Sequence, residues 1–194
     1  MAEEQLSTQL EENKRFFQGK FRNAMDLIVR EVELGDHPAA LFAIDGLVNK
    51  ETITLSILDP LLQEAAYPQG PEAVLGYVEK RVLSAADIKH ETNLDNLLQL
   101  LMSGFALLCV DGCGDALAFG VQGFAYRGPQ EPQNEVMQRG AKDGFTESNQ
   151  LNMAMIRRRM KSASLKFEMY QVGSQSHTPI VLCYVEGMAS QEIL

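Results

Sequence analysis

The sequence has few of the residues that staple, ligate or anchor a protein. Its three cysteines, Cys109, Cys113 and Cys183, are an odd number and give no disulfide framework. Cys109 and Cys183 stand inside apolar runs, where a thiol behaves as a small hydrophobe, so the reading is a reducing, cytosolic environment. The three histidines, His37, His90 and His177, are scattered singly. Cys109 and Cys113 therefore lack the convergent second pair that zinc needs, and neither a metal nor another cofactor is expected. Long apolar runs are missing too. The longest are five to six residues, far short of the ~20 that span a bilayer. The stretch after Met1 is acidic and polar, so no signal peptide is expected and the chain reads as soluble. Positive charge is also short: the formal charge is −9, which excludes broad electrostatic binding of nucleic acid. No phosphate loop, dinucleotide fingerprint or nucleophile elbow is present, and Gly112-Cys113-Gly114 lacks the third glycine and the helix of a Rossmann turn. An enzyme is not the expected reading.

What is present is the composition of a globular protein, 45% apolar and 22% charged. Leu6, Leu10 and Phe17 predict an amphipathic helix from Leu6 to Gln18. Met25 to Leu34 alternates as a partly exposed strand does, Gly35-Asp36-His37-Pro38 is a turn, and Ala39 to Ile44 reads as a strand buried on both faces. Asn49 is the expected cap of a helix reaching Gln63, which Pro60 should bend or interrupt. Gly70-Pro71 opens another helix, running to about Val82. Thr92 and Asp95 resemble a capping box before the stripe Leu94, Leu97, Leu98 and Leu101. Phe105–Val110 and Ala116–Val121 flank Asp111-Gly112-Cys113-Gly114 as a hairpin. From Gly123 to Gly144 four glycines and two prolines break regular structure. Thr146 then caps a helix to about Lys161, followed by strands Leu165–Val172 and Ile180–Val185.

Five apolar residues followed by an acid and a glycine occur three times, ending at Asp45-Gly46, Asp111-Gly112 and Glu186-Gly187. Chance would give roughly 0.04 such strings in this composition, so they argue for a repeated strand-end unit. The first and third each follow a strand and a glycine-containing turn, and lie 141 residues apart. The expected fold is α/β: two related small α/β subdomains joined by a Gly/Pro-rich linker. The boundaries are 1–122 for the first, 123–145 for the linker and 146–194 for the start of a second, incomplete one, whose uncovered strand surface could make the chain self-associate.

Asp45, Asp111 and Glu186 sit where α/β proteins place ligand-binding groups. An Asp-Gly pair also simply makes a turn, and no histidine, lysine or serine recurs beside these three, which favours the turn. The charge distribution is more distinctive. Residues 1–126 carry −10, residues 127–166 carry +4 and the remainder −3. Arg157, Arg158 and Arg159 close a helix, where cations complement its C-terminus. Three consecutive arginines cannot share one solvated face, so at least one is expected to turn toward the acidic first subdomain or the linker, in a bidentate arginine–carboxylate contact. An anionic lipid surface is the alternative partner for this patch.

Arg127-Gly128-Pro129-Gln130-Glu131-Pro132, then Gly144-Phe145-Thr146-Glu147, then Asn152-Met153-Ala154-Met155-Ile156-Arg157-Arg158-Arg159 resemble, in order and spacing, the A subunits of bacterial spore germinant receptors, the GerA family. Arg139-Gly140-Ala141-Lys142 departs from it, since members often have proline where Ala141 stands. The resemblance implies a cytosolic N-terminal domain of two related α/β subdomains. A multi-helix membrane region would follow it and assemble with B and C subunits in the inner spore membrane, in a complex that senses nutrients and triggers ion release. It carries over no catalytic residues. The expected function is non-catalytic: assembly and signal coupling in germination, with Arg127, Glu131, Arg139, Glu147, Arg157, Arg158 and Arg159 as junction or interaction residues. The alternative is a small-metabolite-binding module with its ligand in the cleft between subdomains.

Overall fold

A computed structural model describes residues 4–82, 87–123 and 144–190. Most of the expected linker, including Arg127, Glu131 and Arg139, lies outside the described residues. The architecture is mixed α/β. Strands β1 (Leu27–Leu34) and β2 (His37–Ile44) form a hairpin with all eight positions paired, from Leu27↔Ile44 to Leu34↔His37. Gly35, at φ +65°, supplies the left-handed turn residue. With β3 (Ile88–Glu91), β4 (Phe105–Val110) and β5 (Ala116–Gly120) they make a five-stranded sheet of order β1-β2-β4-β5-β3, antiparallel at every pairing.

Alternation along β2 and β4 sends successive side chains to opposite faces, and both faces are covered. Leu41, Ala43, Leu108 and Val110 pack with Ile53, Ile57, Leu61, Val74 and Leu75. These come from the helical path α2 (Lys50–Ile53), a π-helical turn (Thr54–Leu58) and α3 (Asp59–Gln63), and from α4 (Pro71–Tyr77), which runs into a second π-helical turn (Val78–Val82). Ala40, Phe42, Leu107 and Cys109 face the other way, onto Leu10 and Phe17 of α1 (Leu10–Lys20) and Leu94, Leu97 and Leu101 of α5 (Leu94–Leu101). A continuous apolar run is what a strand between two helical layers requires.

Asn49 caps α2 as expected, its side chain accepting from the N–H groups of Glu51 and Thr52. The path through Pro60 widens into the π-helical turn just ahead of it, and Pro60 falls in the first turn of α3. Two caps differ from the reading. Asn93, not Thr92, caps α5, accepting from Asn96 N–H, while the Thr92 N–H is taken by Glu91. Ser148, not Thr146, caps α6 (Asn149–Arg159), and Thr146 instead exchanges hydrogen bonds with Asn152. The short edge strand β3 had no sequence signal, because Ile88-Lys89-His90-Glu91 carries a single apolar residue.

After α6 come β6 (Leu165–Val172) and β7 (Thr178–Val185), a hairpin with eight paired positions and a longer loop, 173–177. Met153 of α6 packs on Leu165 and Phe167, with Ile156, Val181 and Val185 around them. Cys183, expected inside an apolar interior, is exposed, although it stands opposite the buried Phe167 on the face that α6 packs against. No helix of the described residues is long and apolar enough to cross a membrane.

Candidate functional site at the foot of helix α6

The start of β6 lies beside the residues leading into β1. Ala24 and Phe167 form a parallel bridge, and the Met25 N–H donates to the Phe167 carbonyl at 3.3 Å. Helix α6 closes over this seam with a stripe of one residue per turn, Gln150, Ala154 and Arg157, directed at the β1–β2 hairpin.

Arg157 is fully buried. Its Nε donates to Oδ2 of Asp26 at 2.8 Å and its Nη2 to Oδ1 at 2.9 Å, a bidentate fork. Its Nη1 donates to the carbonyls of Ser162 and Leu165 at 2.8 and 3.1 Å. The guanidinium lies 4.9 Å from the Phe167 ring centre and 5.9 Å from that of Phe21. A buried charge is tolerated only when it is paired and hydrogen-bonded, and both conditions hold here. Burial is the largest influence on the Asp26 carboxyl and pushes it above its ordinary value, against the pull of Arg157.

The other two members of the stripe meet the Asp45-Gly46 strand end. Gln150 Nε2 and Lys50 Nζ both donate to Asp45 Oδ2 at 2.8 Å. Gly46 has φ +81°, and a Cβ there would stand 2.7 Å from the Ala154 Cβ, so the helix approaches this turn as closely as a Gly–Ala pair allows. A second buried cation closes the seam from the hairpin side. Lys166 Nζ donates to the Lys20 carbonyl at the end of α1 (2.8 Å) and pairs with Glu186 at 3.3 Å.

All three strand-end acids therefore have structural partners. Asp45 takes Lys50 and Gln150, and Glu186 takes Lys166. Asp111 Oδ1 accepts the Leu10 N–H at 2.9 Å, capping α1 from across the sheet where the local Gln9 makes no side-chain cap. The thiols face the same way chemically: burial pushes Cys109 up to about 12 and Cys113 to about 11, which keeps both protonated at neutral pH. Among the described residues no group of three His, Cys, Asp or Glu side chains is arranged to hold a metal ion.

Of the residues expected to act at a junction, Arg157 is at the centre of the seam. Arg158 donates through Nε to the Ala154 carbonyl at 3.3 Å. Arg159, with Phe145, Met155, Ile156 and Met160, lines a shallow apolar hollow on the outer side of α6. Glu147 is exposed ahead of the helix N-terminus. Asp26 and Lys166 were missed. Asp26 is one acid in a loop with nothing local to separate it from Asp36. Lys166 alternates correctly with Leu165 and Phe167 but carries a charge at a position that becomes interior.

Comparison with known proteins gives a consistent result. The family model "Bacillus/Clostridium GerA spore germination protein" matches residues 15–194. Spore germination protein KA of Bacillus subtilis (strain 168) is 38% identical over 176 residues, covering 89% of this chain and 32% of that protein. Stage V sporulation protein AF of the same organism is 30% identical over 184 residues, covering 94% of this chain and 37% of that one. The chain thus spans about a third of the length of these curated relatives. Among solved structures, the N-terminal domain of the A subunit of the Bacillus megaterium spore germinant receptor GerK3 superposes with a TM-score of 0.72 at 25% identity, over 100% of this chain and 71% of that one.

Proposed function

The chain belongs to the GerA family of spore germination proteins, and on that premise we propose that it acts without catalysis, as the N-terminal domain of a germinant receptor A subunit, in receptor assembly and signal coupling. The observation that carries this reading is the Arg157–Asp26 fork. It joins α6, and through the Ser162 and Leu165 carbonyls the entry to β6, to the residue that leads into β1, a connection through which a displacement of one part would reach the other. The use of Asp45, Asp111 and Glu186 as structural ligands supports it as well, because strand-end acids engaged by lysine, glutamine and backbone N–H groups are not poised for chemistry.

In this reading Arg158 and Arg159 form the basic outer end of the same helix, with Arg127, Glu131, Arg139 and Glu147 extending the interaction surface. The B and C subunits and the protein's own membrane region are the partners, at the cytosolic face of the inner spore membrane. Anionic lipid is a further surface for the arginines.

The test is germination and complex assembly in the full-length receptor carrying Arg158→Ala or Arg159→Ala. Nutrient-triggered germination, or recovery of the B and C subunits with the A subunit, falls in both variants. Normal germination together with normal assembly in both would remove the proposal. A thermal-shift screen against amino acids, sugars and nucleotides at millimolar concentration is expected to show no stabilisation. A reproducible upward shift with one of them would replace signal coupling by metabolite binding.

A further inference from the structure

The edge of the five-stranded sheet opposite β1 is β3, which is held by four paired positions on β5. His90, at its centre, has a carboxylate at each ring nitrogen. Nδ1 lies 2.5 Å from Oδ2 of Asp115, in the turn between β4 and β5. Nε2 lies 3.2 Å from Oε1 of Glu79, in the π-helical turn that follows α4. A neutral imidazole has one N–H and can serve only one of these carboxylates, turning a lone pair toward the other; an imidazolium donates to both.

We propose that His90 is a proton-operated latch, which in its charged form ties the edge strand β3 to both the end of α4 and the β4–β5 turn, and in its neutral form lets go of one of them. The surroundings leave this role to His90. Asp115 Oδ1 is buried with no hydrogen-bond partner among the described residues, so the imidazole is the group that answers this carboxylate. Neighbouring charges on β3 are engaged elsewhere. Lys89 Nζ lies 4.6 Å from the Phe105 ring centre, and Glu91 accepts from the backbone of Thr92 and Asn93 and from the Asn96 side chain. On β5, Leu117 opposite His90 and the adjacent Ala116 are uncharged.

The direction of the pH effect follows. The hydrogen bond to Asp115 is the largest influence on His90 and raises it above its ordinary value of 6.5; partial burial opposes this, and Glu79 adds to it. A cationic group raised on folding contributes stability that is complete below pH 6.5 and lost as pH climbs through the raised value. The loss is local, because an edge strand opens without unfolding the sheet behind it.

The experiment is an NMR titration of the 194-residue chain from about pH 5.5 to 8.5, read at the His90 ring and at the amides of residues 88–91, with exchange rates corrected for intrinsic pH dependence. His90 titrates above 6.5. The β3 amides exchange roughly two- to five-fold faster once it is neutral, the size expected of exposed ion pairs. His90→Gln shows the faster rate throughout. Glu79→Gln, which leaves the Asp115 side intact, titrates lower than the parent. A His90 that titrates at or below 6.5, β3 exchange that ignores its titration, or a His90→Gln chain that keeps the parental pH response would each overturn the latch.

Discussion

The β1–β2 and β6–β7 hairpins share a backbone plan. Each pairs eight residues with eight, and each ends in an acid followed by a glycine at φ +81°. In each, the N–H of the acid returns to the carbonyl just before the hairpin's first strand, Asp45 to Asp26 at 2.7 Å and Glu186 to Ser164 at 2.8 Å. Their surroundings differ. β2 has β4 on its far side and helices over both faces, and six consecutive residues, Ala39 to Ile44, are buried. β7 pairs only with β6 among the described residues, α6 covers one face, and Tyr170, Val172, Ile180 and Leu182 on the other face are exposed. An apolar run therefore reports a strand that can be buried, and the layers around it determine whether it is. The acid–glycine strand end, by contrast, is local and keeps the same glycine conformation in both hairpins.

The comparison can be broken most forcefully at the seam where the two hairpins meet. Arg157→Ala leaves the Asp26 carboxylate buried and unpaired, and is expected to cost about 3–5 kcal/mol in urea unfolding. Arg157→Ala combined with Asp26→Leu recovers part of that loss, since no stranded charge remains. If the single variant unfolds like the parent, the fork is not what holds α6 to the sheet.

Positions Leu41 and Leu182 occupy the same place in the two hairpins, at 1% and 36% exposure. Leu41→Ala opens a cavity between two layers and should cost about 2–5 kcal/mol, whereas Leu182→Ala should cost roughly 0.5 kcal/mol or less. Equal losses would show that the β6–β7 face is covered in solution.

The smallest difference between the two hairpins separates backbone from packing, at the two glycines of equal φ. Gly187→Ala meets nothing within 4 Å and carries only the left-handed penalty, about 1–2 kcal/mol. Gly46→Ala adds the collision with Ala154, for roughly 1–3 kcal/mol more. The difference between their melting temperatures measures how tightly α6 is docked, and should shrink when Ala154 is replaced by glycine.

Much of this architecture could be read from the amino-acid order. The strands of both hairpins, the β4–β5 hairpin and the Asn49 cap rest on short-range patterns, and those patterns act within a few residues. The caps of α5 and α6 lie one and two positions beyond Thr92 and Thr146, at Asn93 and Ser148, because all four residues are of types that can cap a helix and the local pattern does not choose between near neighbours. β3 escaped because an edge strand facing solvent needs no apolar alternation. At the seam, the run of three arginines signalled that one must turn inward, but its partner carried no signal of its own.

The sequence by itself determined the order of the elements other than β3, the repeated acid–glycine strand ends and the positive segment within an acidic chain, since each depends on neighbours along the backbone. Only the tertiary structure decided that Arg157 is the inward arginine and Asp26 its partner. Only it made Lys166 interior, and gave β2 two covered faces and β7 one. Those outcomes depend on which surfaces meet across 131 residues of chain separation, where the desolvation of a charge or a strand is set by what packs against it.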